Sequence, residues 1–320
     1  MGLRTTTVGW FPKPVDLRRA RWRFAEGEID EAKLREVEAE ATRNALTLQD
    51  ELGLDLPVEG QMDRSDSVTF FADRLEGMEP AGLVRCFGNR YYVKPRIVDG
   101  ITRERPITVE SWKAAAQTAS KPVKAILTGP YTLMDWSFDE HYGSREECCM
   151  ALADVVRAEA QDLVAAGARE IEIDEQAISS RPEEMPLAHQ ALEHVTEPLR
   201  GKARTWTHIC YGDLLPVIDQ VLCLPVDGLL LELSHAEDAL IERLADLPEN
   251  KLLGAGVLDV SSPDVESRAT VQTRVQRVLD RVGADRLWLM PDSGLRALTE
   301  EVAKAKLQTM VAVSNDRGQT

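Results

Sequence analysis

The sequence predicts an α/β fold, a single (β/α)8 TIM barrel over residues 1–320, and three observations point to it. Eight short apolar runs recur along the chain, amphipathic helical stretches separate them, and polar residues gather just past the C-terminal ends of the runs. A barrel of this kind needs roughly 250 residues, so the length suffices. An open doubly wound sheet would also alternate in this way. No G-x-G-x-x-G follows any run, however, which argues against its dinucleotide-binding version.

The expected strands are 4–9 (RTTTVG), 55–60 (DLPVEG), 123–129 (VKAILTG), 169–174 (REIEID), 203–208 (ARTWTH), 226–232 (VDGLLLE), 251–257 (KLLGAGV) and 286–290 (RLWLM). Helical spacing of apolar residues covers 30–51, 108–119, 145–166, 182–199, 212–222, 236–245, 264–282 and 297–313. The segment 145–166 is the clearest: Ser144 and Glu147 form a capping box at its start and Gly167 ends it. Two insertions interrupt the rhythm. Residues 14–29 add a short helix, and 84–106 reads as a hairpin with turn signals at Gly88-Asn89 and Asp99-Gly100. No linker-like or repeated segment appears, so one domain is expected.

Thirty-eight basic against 54 acidic residues leave a net charge of −16, which argues against a nucleic-acid partner. No apolar run approaches the ~20 residues that span a bilayer, and the N-terminus lacks a signal-peptide layout, so no membrane partner is expected. Gly2 fits the loose myristoylation pattern but leads straight into the first strand. Five unpatterned cysteines (Cys86, Cys148, Cys149, Cys210, Cys223) are expected to be reduced, in a cytoplasmic protein. Cys148 and Cys149 read as ordinary helix positions. His141, His189, His194 and His235 show no partner pattern and read as surface residues.

In a parallel barrel the chemistry sits where the strands end. Those ends carry Trp10, Gln61, Thr128, Asp174, His208 with Cys210, Glu232, Asp259, and Asp292 with Ser293. His208 and Cys210, two apart in extended chain, face the same way, and Glu232 ends the next strand. Imidazole, thiolate and carboxylate together suit zinc; packing alone would also account for the His-x-Cys pair.

These residues belong to a longer series: TTTVGWFP (5–12), VEGQMDRSD (58–66), FGNRYYVKP (87–95), LTGPYTLMDWSF (127–138), IDEQAI (173–178), THICY (207–211), LELS (231–234), LDVSSP (258–263) and LWLMPDSGL (287–295). The series resembles the catalytic C-terminal half of cobalamin-independent methionine synthase. The resemblance implies a barrel whose zinc, on His208, Cys210 and Glu232, activates the sulfur of homocysteine to accept a methyl group from a folate. It also implies that Asp174 helps hold the amino acid and that Trp136 and Arg90 lie on the folate side. The bare residues leave two readings for Trp136, a stacking surface or packing beneath the hairpin, and two for Arg90, a binding or a solvated residue.

The departures from the family pattern are specific. Ser293 stands where the family has a fourth zinc ligand, a cysteine, and Ser261 where it has a proton-donating histidine. Trp10 replaces a serine that binds homocysteine, Gln61 an acidic residue facing the substrate ammonium, and Ser180 a glutamate that contacts folate. The family's N-terminal barrel has no counterpart in these residues. Asp174, Ser293 and Ser261 are therefore the candidate catalytic positions, and Trp10, Gln61, Asp174, Trp136 and Arg90 the candidate substrate contacts. The expected function is zinc-dependent methyl or alkyl transfer to a small thiol other than homocysteine, from a folate, a corrinoid or another donor. A zinc hydrolase or lyase using metal-bound water is the alternative, since fewer thiolates make the metal a stronger Lewis acid.

Overall fold

A computed structural model describes residues 2–85 and 91–316. Its strands are β1 (Arg4–Thr5), β2 (Glu76–Arg85), β3 (Tyr91–Thr102), β4 (Ala125–Thr128), β5 (Phe138–Asp139), β6 (Glu170–Asp174), β7 (Arg204–Ile209), β8 (Gly228–Leu231), β9 (Leu252–Leu258) and β10 (Leu287–Pro291). The chain divides into two compact units, one of Met1–Asp63, Trp112–Lys124 and Gly228–Thr320, the other of Arg64–Ser111 and Ala125–Asp227.

The first unit is an α/β layer whose parallel strands run in the order β1-β10-β9-β8. Its strands are apolar on both faces, as parallel strands covered on both sides must be: Leu229, Leu230 and Leu231 on β8 and Leu287 and Leu289 on β10 are buried. Helices Glu31–Leu52, Arg268–Val282 and Glu300–Asp316 cover it. Two of them start where side chains cap the exposed amides, with Asp30 accepting from Lys33 N and Ser267 from Thr270 N.

The expected strand 55–60 is not formed. Only two isolated parallel bridges, Thr6 with Leu56 and Val58 with Lys124, occur there. A side chain explains this: the Gln49 amide donates to Val58 O at 2.8 Å and accepts from Val58 N at 3.0 Å. Pro57 supplies no N–H for a ladder. Local satisfaction of the backbone thus limits pairing to those two bridges.

The second unit holds parallel strands in the order β4-β6-β7, with Thr128 opposite Asp174 and Asp174 opposite His208. A separate sheet, β2-β3-β5, joins an antiparallel hairpin to a short parallel strand. The hairpin begins earlier than the expected 84–106, at Glu76. Asp99-Gly100 is not a turn: it lies inside β3, which runs on to Thr102. Gly88, Asn89, Arg90 and Cys86 lie outside the described residues.

Helix Arg145–Ala165 starts at Ser144, which accepts from Glu147 N at 3.2 Å. Cys148 and Cys149 are buried in it, and burial pushes the Cys148 thiol up to about 12 and Cys149 further. Neither is a reactive thiol. Glu159 on the same helix is fully buried. It accepts from Ile107 N, Thr108 N and Thr108 Oγ1 and pairs with Arg103 at 2.7 Å. Truncating it leaves two amides without their acceptor and Arg103 with only Asp162, at 2.6 Å, as a partner, so Glu159→Ala is expected to cost about 3 kcal/mol in urea denaturation. A change below about 1 kcal/mol would show that the 103–108 segment does not depend on this carboxylate. Among the described residues no helix is long and apolar enough to cross a membrane.

Candidate functional site

β6 and β7 bring the first group together in the second unit. Strand pairing sets Asp174 beside His208, with His208 Nδ1 3.8 Å from Asp174 Oδ1, both buried. Glu172 lies two residues before Asp174 and therefore on the same face. The ligating atoms of Glu172, Asp174 and His208 all lie within 4.8 Å of one another. Cys210 follows β7 directly, buried and unbridged, and the next residue, Tyr211, has a φ of 62°. An exposed tyrosine held in the left-handed region beside a candidate ligand is strain of the kind found at functional loops.

The donor types available fit zinc: a neutral imidazole at His208, a thiol at Cys210, and a carboxylate at Glu232, half-buried one residue past β8 in the first unit. The buried carboxylates Glu172 and Asp174 are an alternative donor set for His208, one better suited to a harder cation. Sequence reasoning missed Glu172, because the alternating Glu-Ile-Glu-Ile-Asp of β6 reads as an ordinary strand and only Asp174 stands at its end.

Glu175 was missed as well. It accepts from Tyr131 N at 3.1 Å, Thr132 N at 2.8 Å and Thr132 Oγ1 at 2.7 Å. Full burial pushes its carboxyl up to about 7, against those hydrogen bonds. It ties the end of β6 to helix Pro130–Asp135, whose C-cap is Trp136. Trp136 is half-buried and meets the hairpin through Tyr92, with ring centroids 6.0 Å apart and the Tyr92 hydroxyl donating to Trp136 O at 3.2 Å. Packing against the hairpin and partial exposure therefore coexist. Arg90 cannot be placed beside it, since it lies outside the described residues.

In the first unit, Asp292 braces the chain just after Glu232. Its Oδ1 accepts from Leu233 N at 3.1 Å and Ser234 N at 3.0 Å, and its Oδ2 accepts from Ser234 Oγ. Burial pushes Asp292 up to about 6; the Ser234 hydrogen bonds oppose this and the Glu232 charge adds to it. Ser293 beside it is buried. Asp292 thus holds the end of β8 in place as well as ending β10.

Trp10 is buried at the same end of this unit, with Lys13 and Arg296 over its ring at 5.0 and 4.4 Å from the centroid. Leu295 N donates to Trp10 O at 2.6 Å. Gly294 is required there, since a Cβ would lie 2.6 Å from the Trp10 Cβ. Gln61 is buried with a φ of 52°, and its backbone carbonyl accepts from Lys13 Nζ. Gly9, with a φ of 31°, is needed because a Cβ would lie 2.6 Å from Gln61 Oε1. Trp10 and Gln61 thus share Lys13.

Ser261 is exposed and serves Asp259, whose Oδ1 accepts from Ser261 N at 2.8 Å and Ser261 Oγ at 2.6 Å. Three of the four histidines expected to lack partners have carboxylates close by: His235 with Asp259 at 3.0 Å, His194 with Asp154 at 2.6 Å, and His141 with Asp99 at 4.0 Å. Each partner comes from a different element, so no local pattern announces it. Ser180 donates to Ala177 O at 2.6 Å and closes its own turn.

Residues 3–316 match the family profile described as the catalytic domain of cobalamin-independent synthase. A 5-methyltetrahydropteroyltriglutamate–homocysteine methyltransferase from Aeromonas salmonicida is 33% identical over 322 residues, covering 97% of this chain. The chain spans only 42% of that relative's length. The structure of a B12-independent methionine synthase from Shewanella sp. W3-18-1 in complex with selenomethionine is 25% identical, with a TM-score of 0.87 over 100% of this chain and 98% of the other. A putative vitamin-B12-independent methionine synthase from Listeria monocytogenes, 20% identical with a TM-score of 0.82, covers 97% of this chain and 96% of its own and supports the fold alone.

Proposed function

Because the chain belongs to the family of cobalamin-independent synthase catalytic domains, we propose that it is a zinc-dependent methyltransferase acting on the sulfur of a small thiol. We take the fold to be a complete (β/α)8 barrel in which the bridged segment 55–60 holds the second strand's place, and His208, Cys210 and Glu232 as the metal ligands. The observation that carries this reading is the buried His208, set by strand pairing against Asp174 and followed two residues on by a buried thiol. Bound zinc would supply a Lewis acid that lowers the pKa of an incoming thiol.

The chain's own residues do the rest. Asp174, 3.8 Å from the His208 ring, is the residue that holds a substrate amine in this reading. Asp292, by holding Leu233 and Ser234, fixes the chain that presents Glu232. Glu175, by holding helix Pro130–Asp135, sets Trp136 where a flat donor would stack against it, with Tyr92 behind. A folate, a corrinoid or another small methyl donor suits this surface.

The acceptor differs from homocysteine in this proposal. Trp10 offers an indole where a hydroxyl would receive the carboxylate, and Gln61 a neutral amide where a charge would receive the ammonium. The test is direct: zinc-loaded protein is incubated with a deuteriomethyl donor and a panel of thiols, and S-methyl products are identified by mass spectrometry. Turnover of ester or amide substrates without any S-methyl product would favour the hydrolase alternative instead.

Ser293 gives a second check. A neutral hydroxyl is a poor zinc ligand, so Ser293→Ala is expected to leave zinc affinity within about threefold of wild type, whereas Ser293→Cys is expected to tighten it at least about tenfold. X-ray absorption is expected to count one sulfur neighbour in wild type and two in the cysteine variant. Two sulfurs in wild type would mean that the first shell has another thiolate.

A further inference from the structure

We propose that His235, oriented by Asp259, is the residue that exchanges the proton with the reacting groups; this rests on the methyl-transfer reading above. His235 lies four residues past the end of β8 and Asp259 directly follows β9. Both therefore stand at the strand ends that carry chemistry in parallel α/β folds. His235 Nε2 is 3.0 Å from Asp259 Oδ2. The carboxylate is held through Oδ1, which accepts from Ser261 N and Ser261 Oγ, and the backbone behind it is fixed by Asp259 N donating to Glu266 Oε1 at 2.7 Å. Glu266 is in turn fixed by Arg274 at 3.2 Å and Lys306 at 2.8 Å.

The imidazole itself is 68% exposed, while Asp259 is only 17% exposed. A fixed carboxylate behind an accessible ring is the arrangement that sets a histidine's tautomer and aims its second nitrogen outward. Burial works against ionisation of Asp259, yet the hydrogen bonds from Ser261 and His235 bring it down to about 2, so it is an anion throughout the working range. Next to His235 in the chain, Ala236 O accepts from Arg277, which also pairs with Asp238 at 2.7 Å. The His194–Asp154 pair lacks this construction: Asp154 is 73% exposed, and the pair lies on the covering helices, away from the strand ends.

The chemistry requires such a group. When the S–CH3 bond forms and the donor's bond to its methyl breaks, the thiol must lose a proton and the donor's leaving atom must gain one. With Nε2–H given to Asp259, Nδ1 of His235 takes the thiol proton and returns it to the leaving atom, so the enzyme ends as it began. No oxidant or reductant is needed. Ser261, a candidate catalytic position by sequence, acts here as a positioning residue for Asp259.

The experiment measures kcat and KM for thiol methylation against pH in wild type, His235→Gln, Asp259→Asn and the control His194→Gln. For His235→Gln we expect kcat to fall about a hundredfold with KM within about threefold, and the imidazole limb of the pH profile to vanish. Asp259→Asn is expected to lower kcat about tenfold and to shift that limb, and His194→Gln to leave both unchanged. Added imidazole is expected to restore part of the rate of His235→Ala. Nitrogen chemical shifts of the His235 ring should report the Nε2–H tautomer. A His235→Gln enzyme with wild-type kcat and an unaltered profile, or an Nδ1–H tautomer, overturns the proposal while methyl transfer stands. A wild type that methylates no thiol overturns both, with the loss assigned to the methyl-transfer reading.

Discussion

Cys210→Ala is expected to lower zinc affinity at least about a hundredfold, since losing a ligand should cost more than losing one of its supports, which typically costs 10–100-fold. His208→Ala is expected to do the same. The two variants are informative only beside a third. His208 also belongs to the buried cluster with Glu172 and Asp174, so its loss weakens a metal bound in either way. Cys210 and Glu172 separate the two. If zinc is held by imidazole, thiolate and the Glu232 carboxylate, Glu172→Gln leaves metal content near one per chain after dialysis against a chelator, as for a structurally intact site. Retention of metal in Cys210→Ala together with its loss in Glu172→Gln would move the metal onto the carboxylate cluster. The readouts are metal content by mass spectrometry and affinity by competition with a chromophoric chelator.

Homocysteine is expected to yield negligible methionine with wild type, and the double variant Trp10→Ser with Gln61→Glu to bind it better by roughly two to four orders of magnitude. Each restored charge-assisted contact is worth about 1.5–3 kcal/mol, and every 1.4 kcal/mol is tenfold in affinity. The structure supports the pairing of these two changes. Lys13 lies over the Trp10 ring and also donates to the Gln61 carbonyl, so removing the indole leaves a held cation beside the space it vacates. Gly9 faces the Gln61 side chain at a distance that leaves no room for a larger group. Glutamate, with the same number of heavy atoms as glutamine, fits that constraint. Removing a buried tryptophan costs about 3–5 kcal/mol, so folding is checked by circular dichroism before binding is measured by calorimetry. Robust methionine formation by the unmodified protein would show that the pocket accepts homocysteine with Trp10 and Gln61 in place.

The strands β4, β6, β7, β8, β9 and β10, the helix Glu31–Leu52, the capped start of helix Arg145–Ala165, and the family were legible from sequence. Each rests on local information: apolar runs, a capping side chain three residues before the amide it satisfies, or a run of residue types in order. Local pattern also located His208, Cys210, Glu232 and Asp174 at strand ends. What it could not supply is which side chain answers which. The 55–60 segment has a strand's pattern, yet Gln49, brought over from the preceding helix, takes the hydrogen bonds of Val58. Asp292 reaches back 58 residues to hold Ser234, and Glu159 reaches 51 residues to hold Thr108. His235 reads as a surface residue until Asp259, 24 residues on, is seen beside it. Hydrophobic period and turn chemistry are properties of neighbouring residues, so the chain alone determined its elements and its family. Hydrogen bonds between side chains depend on which strand ends meet, so the tertiary structure decided how the candidate site is braced and which carboxylate stands beside His235.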